Sequence, residues 1–201
     1  EIAPAPALDE ALRVRIIDAA MTLAKQEQYQ SLGTFEFLVD ASGTGPEFVF
    51  IEANARLQVE HTVTEEVTGV DLVQSQIQVA MGASLASLGL SDPIWPRGFA
   101  IQARVNMETL RGDGSVLPGS GTLNAYDPPS GPGVRVDGFG YVGYQTSTAF
   151  DSLLAKVIIS HKAPDFSAVC AKTLRALAEF RIEGVSTNTE FLMNLITHSD
   201  F

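Results

Sequence analysis

The stretch FIEANARLQVEH, residues 50–61, begins as an apolar strand and then changes character at every second position. Glu52, Asn54, Arg56, Gln58 and Glu60 share one parity; Val49, Ile51, Ala53, Ala55, Leu57 and Val59 share the other. Extended backbone would set an oily face against a face of carboxylates, amides and one guanidinium. Just upstream, GTFEFLVD (33–40) and EFVFIE (47–52) read as two strands separated by the turn-rich ASGTGP (41–46), which together make a β-hairpin. A turn centred near Thr44 makes residues whose numbers sum to about 88 face each other, and so puts Glu36 opposite Glu52. Opposed carboxylates in a mostly apolar hairpin repel and are costly to desolvate unless a cation sits between them. Asn54 would add a neutral oxygen ligand of the kind Mg²⁺ or Mn²⁺ accepts beside carboxylates, water and phosphates. A solvent-facing hairpin edge with merely solubilising acids fits the same pairing. The Arg56 guanidinium is a fork suited to a planar oxyanion such as bicarbonate or a carboxylate. Glu60 is a candidate general base. His61 has the opposite parity and lacks the companions of a zinc site, so it reads as a hydrogen-bonded structural histidine.

The rest of the chain limits what it can meet. A net charge of −11 over 201 residues, with no Lys/Arg cluster, argues against nucleic acid and against an anionic membrane surface. No apolar run is long enough to span a bilayer, and the first residues carry neither an initiator Met nor a secretory leader, so a soluble, cytoplasmic protein is expected. The lone Cys170 falls on the apolar stripe of an expected helix and is assigned no chemistry. Leu12, Ile16, Ala19, Ala20 and Leu23 predict an amphipathic helix over 9–25; Leu72, Val73, Ile77, Ala80 and Met81 predict a second, ended by Gly82. Nine of the 17 glycines then fall between Gly112 and Gly143, as in short strands joined by tight turns. A boundary is expected near Asp92 to Arg97, dividing domains at 1–92 and 97–201. Beyond it the sequence predicts a strand at 153–159, a helix through Phe166 and Phe180, and a last helix opened by a Thr187/Glu190 capping box.

The segment FIEANARLQVEHTVTEEVTGVDLV resembles the signature of biotin carboxylases, the ATP-grasp component of biotin-dependent carboxylases. LGTFEFL is similar to the preceding ATP-grasp strand. IQARVN, LPGSGTLNAY, GPGVRVD and FDSLLAKVI are similar to the family's C-terminal domain, and FRIEGVSTNTEFL to its final helical region. The resemblance implies an α+β fold: the C-terminal part of an ATP-grasp domain, then a small β-rich domain closed by helices. It implies ATP, Mg²⁺ or Mn²⁺, and biotin borne on a carrier protein or domain. It also implies a carboxyltransferase partner and a homodimer. By the same resemblance, Glu36, Glu52 and Asn54 would bind the metals that bridge ATP phosphates, and Leu38 would touch adenine. Arg56, Gln58 and the Val59 amide would hold bicarbonate. Glu60 would deprotonate it for attack on the γ-phosphate, giving carboxyphosphate. Arg104 would stabilise the ureido oxyanion of biotin, and Arg135 would lie where the family dimerises. From its alternation alone, Arg104 between Ala103 and Val105 reads as the solvent-facing member of a strand.

Several features depart from the family pattern. The chain starts after the point where the family has its N-terminal domain and glycine-rich lid, and it stops short of the family's last segment, so it is expected to be a piece of a carboxylase that does not turn over alone. Lys25, Lys156, Lys162 and Lys172 do not stand where the family has phosphate-binding lysines. GFGYVG (138–143) satisfies G-x-G-x-x-G but lacks the following helix, and reads as a chance match. Phe150 stands where the family usually has Tyr, and the loop DASGTGPE is longer. Two other readings remain at this stage: a non-catalytic dimerisation module, and a different bicarbonate-using ATP-grasp ligase such as carbamoyl-phosphate synthetase. Cytoplasm is the default compartment, with the mitochondrial matrix open in a eukaryotic source.

Overall fold

A computed structural model describes residues 1–40, 42, 47–147 and 149–201. In chain order the elements are β1 (Ile2–Ala3), α1 (Glu10–Gln26), β2 (Thr34–Val39), β3 (Phe48–Asn54), α2 (His61–Thr68), α3 (Leu72–Ala80), β4 (Phe99–Asn106), β5 (Glu108–Leu110), β6 (Val116–Pro118), β7 (Ala125–Asp127), β8 (Val134–Gly138), β9 (Leu153–His161), α4 (Phe166–Glu179), β10 (Arg181–Glu183) and α5 (Thr189–Ile196). Two compact units result: Ala5–Trp95, and Pro96–Phe201 joined by Glu1–Pro4. The fold is α+β. Among the described residues no helix is long and apolar enough to cross a membrane.

In the Ala5–Trp95 unit, the Asp9 carboxylate accepts the amides of Ala11 and Leu12 and starts α1. Leu12, Ile16, Ala19, Ala20 and Leu23 are the half-buried positions that the spacing predicts. The hairpin forms as β2 and β3, antiparallel, with Thr34, Phe35 and Glu36 opposite Asn54, Ala53 and Glu52. Those pairs sum to 88. Past Glu36 a bulge leaves Ile51 unpaired and shifts the register, so that Phe37 faces Phe50 and packs edge-on against it at 5.6 Å. The expected turn at 41–46 lies outside the described residues except for Ser42, whose amide donates to Asp40 at 2.8 Å. Extended backbone ends at Asn54. The alternation through Arg56, Gln58 and Glu60 therefore does not mark a longer strand. Residues 55–60 bend and turn into α2, a helix the sequence reading leaves out, which Gly69 closes in the left-handed conformation (φ 74°).

The other unit is built on an antiparallel sheet in the order β1-β4-β9-β8. One face is sealed by α4 and α5: Ile101, Ala103, Val105, Ala155, Val157 and Ile159 pack against Val169, Ala176, Leu177 and Phe180. The opposite parity of the same strands carries Gln102, Arg104, Lys156, Asp137 and Arg135. The expected capping box is replaced. Asn188 caps α5 without a side-chain hydrogen bond, and Thr187 bonds the Thr189 hydroxyl instead. The 8 % exposed Asn188 side chain serves the sheet: its Oδ1 accepts the Asn106 amide at 2.9 Å, and its Nδ2 donates to the Arg104 carbonyl at 3.1 Å. Asn188→Ala is expected to cost about 1–3 kcal/mol, because it removes the partner of a part-buried amide and of a part-buried carbonyl together. A denaturant midpoint that does not move would refute this role.

Candidate functional site

Glu36 on β2 and Glu52 on β3 face each other directly across the hairpin. Like charges so placed cost about 0.2–1 kcal/mol without compensation. Compensation comes from amides: Asn54 Nδ2 donates to Glu52 at 2.7 Å and to Glu36 at 3.0 Å, and Gln58 Nε2 donates to Glu36 at 3.1 Å. The turn after β3 thus brings Gln58 back onto the strand pair even though the strand itself has ended. Asn54 offers the carboxylates its nitrogen here, and rotation of the amide would offer its oxygen. Among the described residues no three His, Cys, Asp or Glu side chains gather around one point. The donor set is therefore two carboxylates and one amide, too sparse for an all-protein cage but suited to a Mg²⁺ or Mn²⁺ that keeps waters and phosphate oxygens.

Gln58 and Glu60 line a cleft of about 400 Å³ whose walls include Ile16, Phe35, Leu57 and His61. The buried Oε1 of Gln58 has no hydrogen-bond partner among the described residues, an acceptor waiting for a donor. Glu60 occupies the N-cap of α2, where its carbonyl accepts the Val63 amide at 3.2 Å. His61 behaves structurally: Nδ1 lies 2.7 Å from the Gln58 carbonyl, and Nε2 lies 4.0 Å from Glu65. That pair fixes the turn that presents Gln58 and Glu60. Its signal in the sequence was the i, i+4 spacing of His61 and Glu65, visible only once 61–68 is taken as a helix.

Other expected residues stand apart. Arg56 is exposed, and its Nη1 donates to the neighbouring Leu57 carbonyl at 3.3 Å. Leu38, 62 % exposed, lies on β2 beyond the bulge. Val59 is half-buried in the turn before α2. Arg104 belongs to the other unit, on β4, where Nη2 lies 2.7 Å from Glu1. Arg135 donates twice to Asp137, at 2.8 and 2.9 Å. Burial pushes the Asp137 carboxyl up, but Arg135 and Lys156 outweigh it and hold the group below its ordinary value.

Residues 102–201 match the biotin carboxylase C-terminal domain, and residues 1–88 match the ATP binding domain named for the carbamoyl-phosphate synthase L chain. A single-chain, multi-domain long-chain acyl-CoA carboxylase superposes on 99 % of the chain with a TM-score of 0.93 and 46 % identity. The chain belongs to the biotin carboxylase family. Pyruvate carboxylase 1 of Caenorhabditis elegans is 48 % identical over the whole chain, which spans 17 % of that protein. The biotin carboxylase domain of Hydrogenobacter thermophilus 2-oxoglutarate carboxylase, solved with MgADP, ADP and bicarbonate, matches 100 % of the chain at a TM-score of 0.88 and 34 % identity; the chain spans 42 % of it. It spans 21 % of the acyl-CoA carboxylase. This biotin carboxylase chain is thus the C-terminal part of an ATP-grasp domain followed by the β-rich C-terminal domain with its closing helices, as the resemblance implies.

Proposed function

We propose that this chain carries the bicarbonate-activating and biotin-facing residues of an ATP-dependent biotin carboxylase. The observation that carries the reading is the Glu36/Glu52 pair, bridged by Asn54 and tied through Gln58 to the cleft that Glu60 lines. Glu36, Glu52 and Asn54 would hold Mg²⁺ or Mn²⁺. When bound, that ion supplies positive charge against the ATP phosphates. Leu38 would meet the adenine. Bicarbonate would be gripped by Arg56, turned from the Leu57 carbonyl, and by the Val59 amide. Gln58 would hold it too, with its amide turned so that Nε2 donates to the anion. Glu60 would take the hydroxyl proton, so that the resulting oxygen attacks the γ-phosphate and forms carboxyphosphate with release of ADP. Carboxyphosphate would break down to CO₂ and phosphate, and Arg104 would stabilise the ureido oxyanion of biotin as its N1′ gives up a proton to that phosphate and attacks the CO₂.

Biotin would arrive on a carrier protein or domain, and a carboxyltransferase would pass the carboxyl group on. Arg135 would lie at a homodimer contact. Cytoplasm is the compartment proposed, or the mitochondrial matrix in a eukaryotic source. The test is transfer of label from bicarbonate in the natural chain that carries this sequence. Label is expected on biotin, in proportion to phosphate released. ATP- and bicarbonate-dependent label on ammonia, with none on biotin, would establish the carbamoyl-phosphate chemistry instead. Dimerisation without any phosphate release would establish a non-catalytic module.

A further inference from the structure

We propose that Glu1 is a positioning residue for Arg104, holding its guanidinium where the ureido oxygen of biotin would need it. The inference rests on the role given to Arg104 above. One Glu1 carboxylate oxygen lies 2.7 Å from Arg104 Nη2, and the other accepts the side-chain amide of Gln102 at 2.9 Å. Gln102 is 2 % exposed and therefore a fixed donor. The backbone clamps the same point: the Gln102 amide donates to the Glu1 carbonyl at 2.9 Å, and Ile2 and Ala3 pair with Ile101 and Ala100. The residue before β1 thus presents an oriented carboxylate to an arginine whose side chain is still 51 % exposed.

Charge order across the sheet gives that carboxylate a task. Lys156 stands directly opposite Arg104 on β9, and Asp137 stands directly opposite Lys156 on β8. Asp137 approaches Lys156 at 3.4 Å and also takes Arg135 at 2.8 Å. Glu1, which precedes β1 and pairs with Gln102, reaches diagonally to Arg104, so the charges met in turn are negative, positive, positive, negative. Each of the two adjacent cations leans on an acid on its outer side. Removing Glu1 leaves Arg104 beside Lys156 with no other ion pair among the described residues, and a long side chain then disperses among rotamers or swings away. The approach is a charge contact without an aligned hydrogen bond, so the guanidinium donors stay available to a ligand oxygen. With its arginine half-exposed to water, the pair adds little to stability. Its effect is expected in orientation.

The experiment is a double-mutant cycle, Glu1→Gln and Arg104→Ala, in the natural chain carrying this sequence, with free biotin as the acceptor. Glu1→Gln keeps shape and an acceptor oxygen but removes the charge. It is expected to lower kcat/KM for biotin on the order of tenfold, leave KM for MgATP in place, and leave the melting temperature unchanged. Arg104→Ala is expected to lose more, and adding Glu1→Gln to it to lose nothing further. Losses that multiply, or a Glu1→Gln variant equal to wild type while Arg104→Ala is impaired, would overturn the positioning role alone. Full carboxylation by Arg104→Ala would overturn the role of Arg104 and the inference with it.

Discussion

Glu60→Gln is expected to lower bicarbonate-dependent ATP cleavage by about 10²–10⁴-fold, the range of a lost general base, with little change in stability. The substitution is isosteric. The structural duties of position 60 lie in its backbone, whose carbonyl accepts the Val63 amide at the start of α2. Its carboxylate has no hydrogen bond or ion pair recorded among the described residues, so an amide there breaks no contact of the fold. What it removes is the capacity to take a proton inside the cleft shared with Gln58. Phosphate release measured with and without bicarbonate, beside a thermal melt, separates the outcomes. A variant that keeps its rate but melts slightly lower would make Glu60 only an acid at a helix start, where a negative charge contributes about 0.3–1 kcal/mol.

How legible the hairpin was depended on which half of it is considered. Pairs Thr34/Asn54 and Glu36/Glu52 follow from placing the turn near Thr44, because side chains alternate strictly while the register holds. Beyond Glu36 the bulge at Ile51 breaks that arithmetic, and nothing local in FVFI signals a bulge among residues that all favour strands. Alternation from Arg56 to Glu60 was true of the sequence and misleading about the backbone. The five polar residues converge only in part, by a turn that brings Gln58 to Glu36 while Arg56 faces solvent. The α2 helix was hidden because HTVTEEVT holds five β-branched residues and few strong helix formers, and tertiary burial of Thr62, Val63 and Val67 decides it. Long-range polar contacts were least accessible. Glu1 meets Arg104 and Asn188 meets β4 across 82 residues or more, distances over which no periodicity carries information. Asn188 also shows why the capping box fails: its side chain is committed to the sheet before it can serve the helix.

Glu52→Gln is expected to move stability and ligand binding in opposite directions. With no metal present, Glu36 and Glu52 repel across the hairpin, and the Asn54 and Gln58 amides offset the repulsion in part. Gln at position 52 keeps an oxygen for Asn54 and removes one charge, so the metal-free protein should gain about 0.2–1 kcal/mol. MgATP binding should weaken by at least about 10–100-fold, the loss that even a partner outside the ligand sphere brings to a metal site. Mass action then predicts that millimolar Mg²⁺ with ATP raises the melting temperature of the natural protein far more than that of the variant, and that a chelator reverses this. The pairing of signs is the discriminating feature. A surface acid that only confers solubility would change neither quantity measurably, and an acid needed for the fold would lower stability when replaced. Equal MgATP titrations for the two proteins would therefore return the hairpin to a plain solvent-facing edge. A more stable variant with a weakened titration would mean that the hairpin tolerates facing carboxylates because a cation uses them.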